Sequence, residues 1–481
     1  MPFRPEKIPL DILYPILEHL DDRLDLHAAA LTSRCFNAAA TPLLYRKLDT
    51  RTKWEDKASP IVLHPAVTIL QKPMLARYVR EVRETGVMHH THPTITETVF
   101  QALRLCTNLS SFAWNDDSYS SGQLFKAFLK ILKDLPLRSL TIRTYSDLGE
   151  PIWVVLNEFT GLHKIAIWCM NGPPRVLQGW AGVLGDTLTE LELGRCAGVP
   201  ATILISVLSQ LPRLRVLNLK GAPSAAIPDI LASLPNLQAL DTEFLGSGIL
   251  RRRPADLDEE ATLPRLRRLT VRTSSVDLQG PQRLWVWLHQ LIPRPSLEAF
   301  VLNAFSTQGQ TTIPRHFLLA LAHTHGGTLK SFLVNMTQLT LEDIECLCTL
   351  FPRLEALSCA VASPDPIARS VYNTLQASIE HVIAKAKHLH SLRLHVHWIP
   401  DMNQSSQGLS TPLSSYLQYS PRSPSARFGR AEAEALMRRE GSLLRTVSMG
   451  PHMYKGSWMR MANQELKFVV EEDSAVGDSW L

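Results

Sequence analysis

One six-residue phrase governs most of this chain: an apolar residue, two others, an apolar residue, one other, an apolar residue. It reads LSSFAW at Leu109, LRSLTI at Leu137, LHKIAI at Leu162, LTELEL at Leu188, LRVLNL at Leu214 and LQALDT at Leu237. It continues as LRRLTV at Leu266, LEAFVL at Leu297, LKSFLV at Leu329, LEALSC at Leu354 and LHSLRL at Leu389. VREVRE at Val79 is a degraded copy, and LRTVSM at Leu444 closes the series. Successive starts lie mostly about 23 to 35 residues apart, room for one strand and one helix. Between the phrases the apolar period changes from two to helical spacing, in ILISVLSQL (203–211), DILASL (229–234), FLLALAHT (317–324) and DIECLCTLF (343–351). Many of these end on proline directly before the next phrase, as in LPRL at 211, LPNL at 234, LPRL at 263 and FPRL at 351. Proline cannot continue a helix and pushes the preceding residue towards extended geometry, so each unit reads helix, stop, strand.

Stacked, such units give parallel strands on one side and helices on the other. This pattern resembles the longer-repeat leucine-rich proteins and implies an α/β horseshoe, a solenoid of irregular curvature, because most units lack the ladder-forming Asn of the commonest consensus. The exposed strand positions would line the concave face. They are Arg143, Lys164 and Trp168, then Glu190 and Glu192, Asn218 and Lys220, Asp241 and Glu243, Arg268 and Arg272, and later Asn303, Asn335, Arg393 and His395. Charge sign alternates along that series, which suits a mixed-charge protein surface better than a phosphate backbone. Trp168 is the natural anchor, since aromatic residues dominate many interfaces.

The chain opens differently. Residues 8–48, IPLDILYPILEHLDDRLDLHAAALTSRCFNAAATPLLYRKL, place Ile12, Leu13, Ile16, Leu17 and Leu20 in one apolar stripe at helical spacing. Asp25 is positioned to cap a second helix and Ser33 a third, which Thr41-Pro42 would stop. Pro15, inside the first helix, removes one backbone donor. Three helices of this size leave too much apolar surface uncovered, so something else must cover part of the stripe.

On Ile8-Pro9, Asp11-Ile12, Ile16-Leu17, Leu20, Asp25-Leu26, Leu31, Ser33-Arg34-Cys35, Phe36 (where the family often has Trp) and Tyr45, the stretch resembles an F-box. F-box plus leucine-rich repeats is itself a family architecture, similar to fungal F-box proteins. The resemblance implies a non-catalytic adaptor of a Skp–cullin–F-box ubiquitin ligase, its F-box docking on the Skp-family linker and its repeats holding a protein substrate for ubiquitination and proteasomal degradation. Pro9, Ile12, Ile16, Leu17, Leu20, Leu26, Leu31 and Phe36 are the adaptor contacts or their immediate support on this reading. Two alternatives stay open: an F-box protein in a non-degradative Skp complex, and a repeat scaffold that sequesters a protein or RNA.

The expected organisation is F-box 1–50, linker 51–75, repeats 76–400, a disordered Ser/Pro-rich insertion 401–430, a last repeat and cap 431–470, and an acidic tail 471–481. Thr411, Ser420 and Ser423 each precede a proline, a pattern for proline-directed phosphorylation, and LRRRPADLDEEA (250–261) reads as a solvated loop. A formal charge of +5, from 50 basic and 45 acidic residues, points to neither nucleic acid nor an anionic membrane. No secretory signal and no apolar span is visible, and seven scattered cysteines without a C-x-x-C pair suit reduced thiols in the cytosol or nucleus. No nucleotide-binding, zincin or hydrolase motif occurs, and neither His89, His90 and His92, nor His388, His390, His395 and His397, nor Cys346 and Cys348 has metal-ligand spacing, so no cofactor and no metal are expected.

Overall fold

The computed structural model describes residues 9–20, 22–49, 51–53, 61–117, 122–172, 175–177, 179–245, 263–273, 281–304, 313–361, 378–396, 428–449, 452–461 and 465–473. The charged loop 250–261, the three Ser/Thr-Pro sites and His397 lie outside them. The chain divides into two compact units, residues 1–222 with 233–237 and residues 223–232 with 238–481.

Every recurring phrase forms a strand that begins two residues after its first apolar residue. In the first unit β1 (Lys47–Asp49) and the short pair β2 (Arg51–Lys53) and β3 (Ile61–Leu63) come first, and the phrases then form β4 (Glu81–Thr85), β5 (Ser111–Asp116), β6 (Ser139–Thr144), β7 (Lys164–Cys169), β8 (Glu190–Leu193) and β9 (Val216–Leu219). β1 pairs with β4, and β4 to β9 pair in sequence, all parallel. Helices return the chain between strands, for example Gln123–Leu132 and Ala201–Leu208. The physical logic is visible in burial: Leu109, Leu137, Leu162, Leu188 and Leu214, just ahead of each strand, are all buried, as are the second and third apolar positions, such as Phe112 and Trp114 or Leu140 and Ile142. Three buried side chains per unit point one way, and the helices lay their own apolar face on them. Fully burying one such side chain is worth roughly 1.5–3 kcal/mol.

The stretch read as a linker contains the helix Pro65–Gln71, whose Ala66 and Ile69 are buried. It follows His64, which caps that helix by accepting the Ala66 N–H at 3.1 Å. No helix among the described residues is long and apolar enough to cross a membrane.

The second unit continues the theme with β10 (Ala239–Phe244), β11 (Arg268–Thr273), β12 (Ala299–Ala304), β13 (Ser331–Leu339), β14 (Ala356–Val361), β15 (Ser391–Val396) and β16 (Thr446–Met449), paired in that order and parallel. β13 carries a register shift between Val334 and Gln338. The unit then changes direction: β17 (Met453–Arg460) and β18 (Leu466–Asp473) form an antiparallel hairpin on β16. Nothing in the repeat phrase announces this hairpin, and β18 reaches into the stretch read as an acidic tail.

His325 ties two turns of the second unit together. It is buried at the end of the helix Arg315–His325, accepts the Leu297 N–H on Nδ1 at 3.3 Å, and meets the Ile292 carbonyl through Nε2 at 3.0 Å. That pairing requires the neutral ring with its proton on Nε2. Burial holds the imidazole below its usual range, the Ile292 carbonyl opposing and His289 adding to the effect. A depressed folded value means the unfolded chain takes up the proton first, so the stabilisation is complete above about pH 6.5 and is lost as pH falls from there towards the folded value. His325→Ala, by orphaning two buried backbone groups, is expected to cost about 2–4 kcal/mol. Urea melts at neutral and mildly acidic pH check both statements: the variant should be weaker at neutral pH and its pH dependence shallower.

Candidate functional site

Three helices, α1 (Leu10–Leu17), α2 (Arg23–Thr32) and α3 (Arg34–Leu44), form the N-terminal part of the first unit. Asp22, not Asp25, caps α2, its carboxylate accepting the Leu24 N–H at 2.8 Å. The reason is spacing: the helix starts at Arg23, which leaves Asp25 inside the first turn, where its charge favours the helix dipole instead. Ser33 caps α3 as its position suggests, accepting the Phe36 N–H at 3.3 Å. Thr41-Pro42 does not stop α3. Pro42 deletes one backbone bond in the last turn, and the helix closes beyond it through Tyr45 N–H to the Thr41 carbonyl at 3.1 Å.

The apolar stripe of α1 is two stripes. Leu13 and Leu17, four apart, join Leu26, Ala30, Ala39 and Ala40 in the core, with Leu20 and Phe36 packed at its edge. Ile12 and Ile16, also four apart but one position round the helix, face solvent at 52% and 53% exposure. On α2, Leu24 and Leu31 sit two turns apart on one face and are more exposed still, at 71% and 73%. Pro9, also exposed, carries the carbonyl that accepts the first helical N–H groups, from Ile12 and Leu13. Leu24 escapes a reading by stripe, since it lies outside the Leu26–Ala30 core face; its signal is an aliphatic residue in the first turn of an otherwise polar helix start.

This exposed aliphatic face is tied directly to the strand ladder. β1 follows α3 within a few residues and pairs with β4 from Lys47↔Glu81 to Asp49↔Arg83. Arg23 of α2 bridges Asp49 at 2.5 Å and donates to the Leu44 carbonyl at 2.8 Å, while Arg46 reaches Glu18, just past the end of α1, at 2.6 Å. The last residues of the helical segment are therefore also the first strand of the ladder.

On the open strand face of the first unit, Arg143 lies opposite Trp168 in register. The indole Nε1 donates to Glu192 at 2.5 Å, Lys220 Nζ stands 3.9 Å above the ring and the Arg143 guanidinium 5.3 Å from it. Contacts of this cation–π type are worth about 0.5–2 kcal/mol each, depending on desolvation. The ring lies over Gly194, where an added Cβ would meet it at 2.3 Å. Gly194 was not legible as a site residue; only the register shows that it is the seat of Trp168. Lys164 pairs with Glu190 at 2.9 Å at the other end of the same strands. In the second unit, Arg272 bridges Asp241 at 2.6 Å, Arg268 is exposed, and Glu243, Arg393 and His395 are half-buried.

The remaining candidates are structural. His89 is buried against Glu84 and Thr96, while His90 is exposed and His92 half-buried. His388 and His390 are exposed. Among the described residues no cluster of three or more His, Cys, Asp or Glu is arranged to hold a metal ion. None of the seven cysteines forms a disulfide, and burial pushes the thiols of Cys106 and Cys348 up to about 12.

Residues 6–51 match the F-box-like family model, so the chain carries an F-box-like domain at its N-terminal end. No curated protein sequence matches the chain. Among solved structures, the chain is similar to one from the yeast Rad7–Elc1 complex, at 16% identity and a TM-score of 0.41, over 75% of this chain and 88% of that one. It is also similar to one from a TLR13–ssRNA13 complex, at 13% identity and a TM-score of 0.32, over 68% of this chain and 56% of that one.

Proposed function

We propose that the protein is the substrate-recognition adaptor of a Skp–cullin–F-box ubiquitin ligase, an F-box followed by a leucine-rich-repeat horseshoe, acting in the cytosol or nucleus. The observation that carries this is the pair of outward aliphatic faces, Ile12 with Ile16 and Leu24 with Leu31, on a domain whose own core is already complete. An F-box-like domain with an uncovered apolar face suits a Skp-family partner. Its strand junction with the ladder suits rigid delivery of whatever the repeats hold. The adaptor would do no chemistry and would act by proximity, turning a bimolecular encounter into a positioned one.

For the substrate, the face around Trp168 is the leading surface, with Arg143, Glu192 and Lys220 preorganising the ring. Its mixed charges favour a protein over an RNA. Affinity purification of the full chain with the proteasome inhibited tests the reading. Skp adaptor, cullin and at least one protein that accumulates under inhibition should be recovered. The variant Trp168→Ala with Arg143→Glu should keep the adaptor and lose that protein about 10-fold or more, the scale of an interface hot spot. Recovery of the adaptor without cullin or any stabilised protein would shift the reading to a non-degradative Skp complex. Retention of RNA at physiological salt would favour a scaffold.

A further inference from the structure

The hairpin that ends the second unit has a core face longer than its core. Opposed residues of an antiparallel pair share a face, so Tyr454, Gly456, Trp458 and Arg460 of β17 stand with Glu472, Val470, Phe468 and Leu466 of β18. The helix Arg430–Arg438 covers the first part of it: Tyr454, Phe468 and Val470 are buried, and Phe428 packs on Tyr454 with ring centroids 6.0 Å apart. Met437 of that helix lies so close to Gly456 that an added Cβ would come within 2.6 Å of its sulfur. The helix then ends, and the chain turns away through Gly441 at φ 74. Beyond that point Trp458 and Leu466 continue the core face with no helix of the described residues above them, at 61% and 59% exposure.

The result is a cleft of about 660 Å³ with Trp458, Leu466 and Phe468 inside and cations around it. Arg438 is engaged, with Glu434 at 2.8 Å and the Phe468 carbonyl at 2.9 Å. Among the described residues, Arg439 and Arg445 donate to backbone carbonyls, of Glu380 at 2.6 Å and Leu444 at 2.8 Å. Arg445 also lies 5.6 Å from the Phe468 ring. Neither of these two, nor Lys467, is within ion-pair distance of a carboxylate among the described residues, and Glu465 is the one acid lining the cleft. Backbone anchoring fixes the guanidinium groups without neutralising them.

We propose that this cleft binds an acidic peptide segment of a partner protein, one that places an aromatic or large aliphatic side chain against Trp458 and its carboxylates on Arg439, Arg445 and Lys467. An apolar floor in a cationic rim is complementary to that chemistry. A second copy of the chain is disfavoured, because facing clefts would bring like charges together. Exposed Trp and anchored Arg are also the side chains that most often concentrate binding energy. The proposal goes beyond the adaptor reading and holds whether or not the helical domain engages a ligase.

The test is selection of a displayed random dodecapeptide library on the full chain, counter-selected on Trp458→Ser with Lys467→Glu. Both side chains are exposed, so an unchanged melting curve is expected, and Lys467→Glu alone serves if it is not. Enriched peptides should carry Asp or Glu beside Phe, Trp or Leu. Synthetic copies should bind the wild-type chain at least about 10-fold more tightly than the variant, and less tightly as salt is raised. Three outcomes overturn the proposal: enrichment of basic or uncharged peptides, equal retention by the variant, or a wild-type dimer that the variant abolishes. Binding of RNA or of phosphatidylserine vesicles that is lost in the variant, with no peptide enriched, overturns it equally.

Discussion

A chain carrying Ile12→Asp and Ile16→Asp will melt like the wild type and fail to bring down a Skp-type adaptor. Both side chains are about half exposed and neither belongs to the helical core, so the substitutions remove nothing the fold uses. In a complex, each would give up the burial of an aliphatic side chain, worth roughly 1.5–3 kcal/mol, and would place a carboxylate against an apolar partner. A combined loss on the order of 3–6 kcal/mol corresponds to about 100-fold or more in affinity. Leu17→Asp is the control that separates docking from folding. Leu17 faces inward with Leu13 and Leu26, so that variant should lose the domain's cooperative melt together with adaptor capture. Undiminished capture by the double variant, measured by co-purification with recombinant Skp-family protein, would sink the adaptor reading.

The largest stability effect will come from Glu84. It is 1% exposed on β4 and lies between two buried imidazoles, with His64 Nε2 at 3.3 Å and His89 Nε2 at 3.0 Å. His64 already accepts the Ala66 N–H on its other nitrogen, so its proton sits on Nε2 and is donated to the carboxylate. His89 reaches Thr96 with its second nitrogen and packs its ring against Phe128, centroids 5.0 Å apart. Glu84 therefore joins the segment before the helix Pro65–Gln71, strand β4 and the helix Gly86–Thr91 in one buried network.

Burial by itself would raise the carboxyl's pKa and is the largest single influence. The two imidazole hydrogen bonds, with the attraction of both rings, outweigh it and hold the group below its ordinary value. For a carboxyl whose folded value is depressed, the unfolded chain binds the proton first. The stabilisation is thus complete above the usual carboxyl range of about 4.3 and is lost as pH falls through the folded value. Glu84→Ala leaves two buried imidazoles facing a hole and should cost about 3–5 kcal/mol, the scale of breaking a buried pair by removing one partner. Glu84→Gln, which keeps an acceptor, should cost less. Urea melts at neutral pH rank the three chains, and the gap between the wild type and the alanine variant should narrow as pH is lowered from about 4.3 towards the folded value.

Glu84 also shows where reading by pattern stops. It occupies the third apolar position of VREVRE, the most degraded phrase, which looks from the sequence like a weak copy of the repeat. It is a full member of the ladder in which a carboxylate and two histidines replace a leucine. The replacement is not visible locally, because His64 and His89 reach the site from different elements. The same holds for Trp168. Its position on the open strand face follows from alternation, but the glycine beneath it and the cations beside it come from other strands in register.

What the sequence by itself determined is the local part. The two-residue period of each phrase, the leucine ahead of it and the proline stops dictate helix, stop and strand, because those preferences act over a few bonds. The excess of apolar side chains in residues 8–48 likewise required more cover than three helices can supply. Tertiary structure alone decided which side of each stripe is spent. In α1, Leu13 and Leu17 became core and Ile12 and Ile16 became surface, although all four have the same chemistry and lie at the same spacing. A helix has no inside until a neighbour is packed on it. The same rule left Trp458 uncovered at the other end of the chain: the hairpin's alternation made a core face, and only the length of the helix Arg430–Arg438 determined how much of that face the fold could cover.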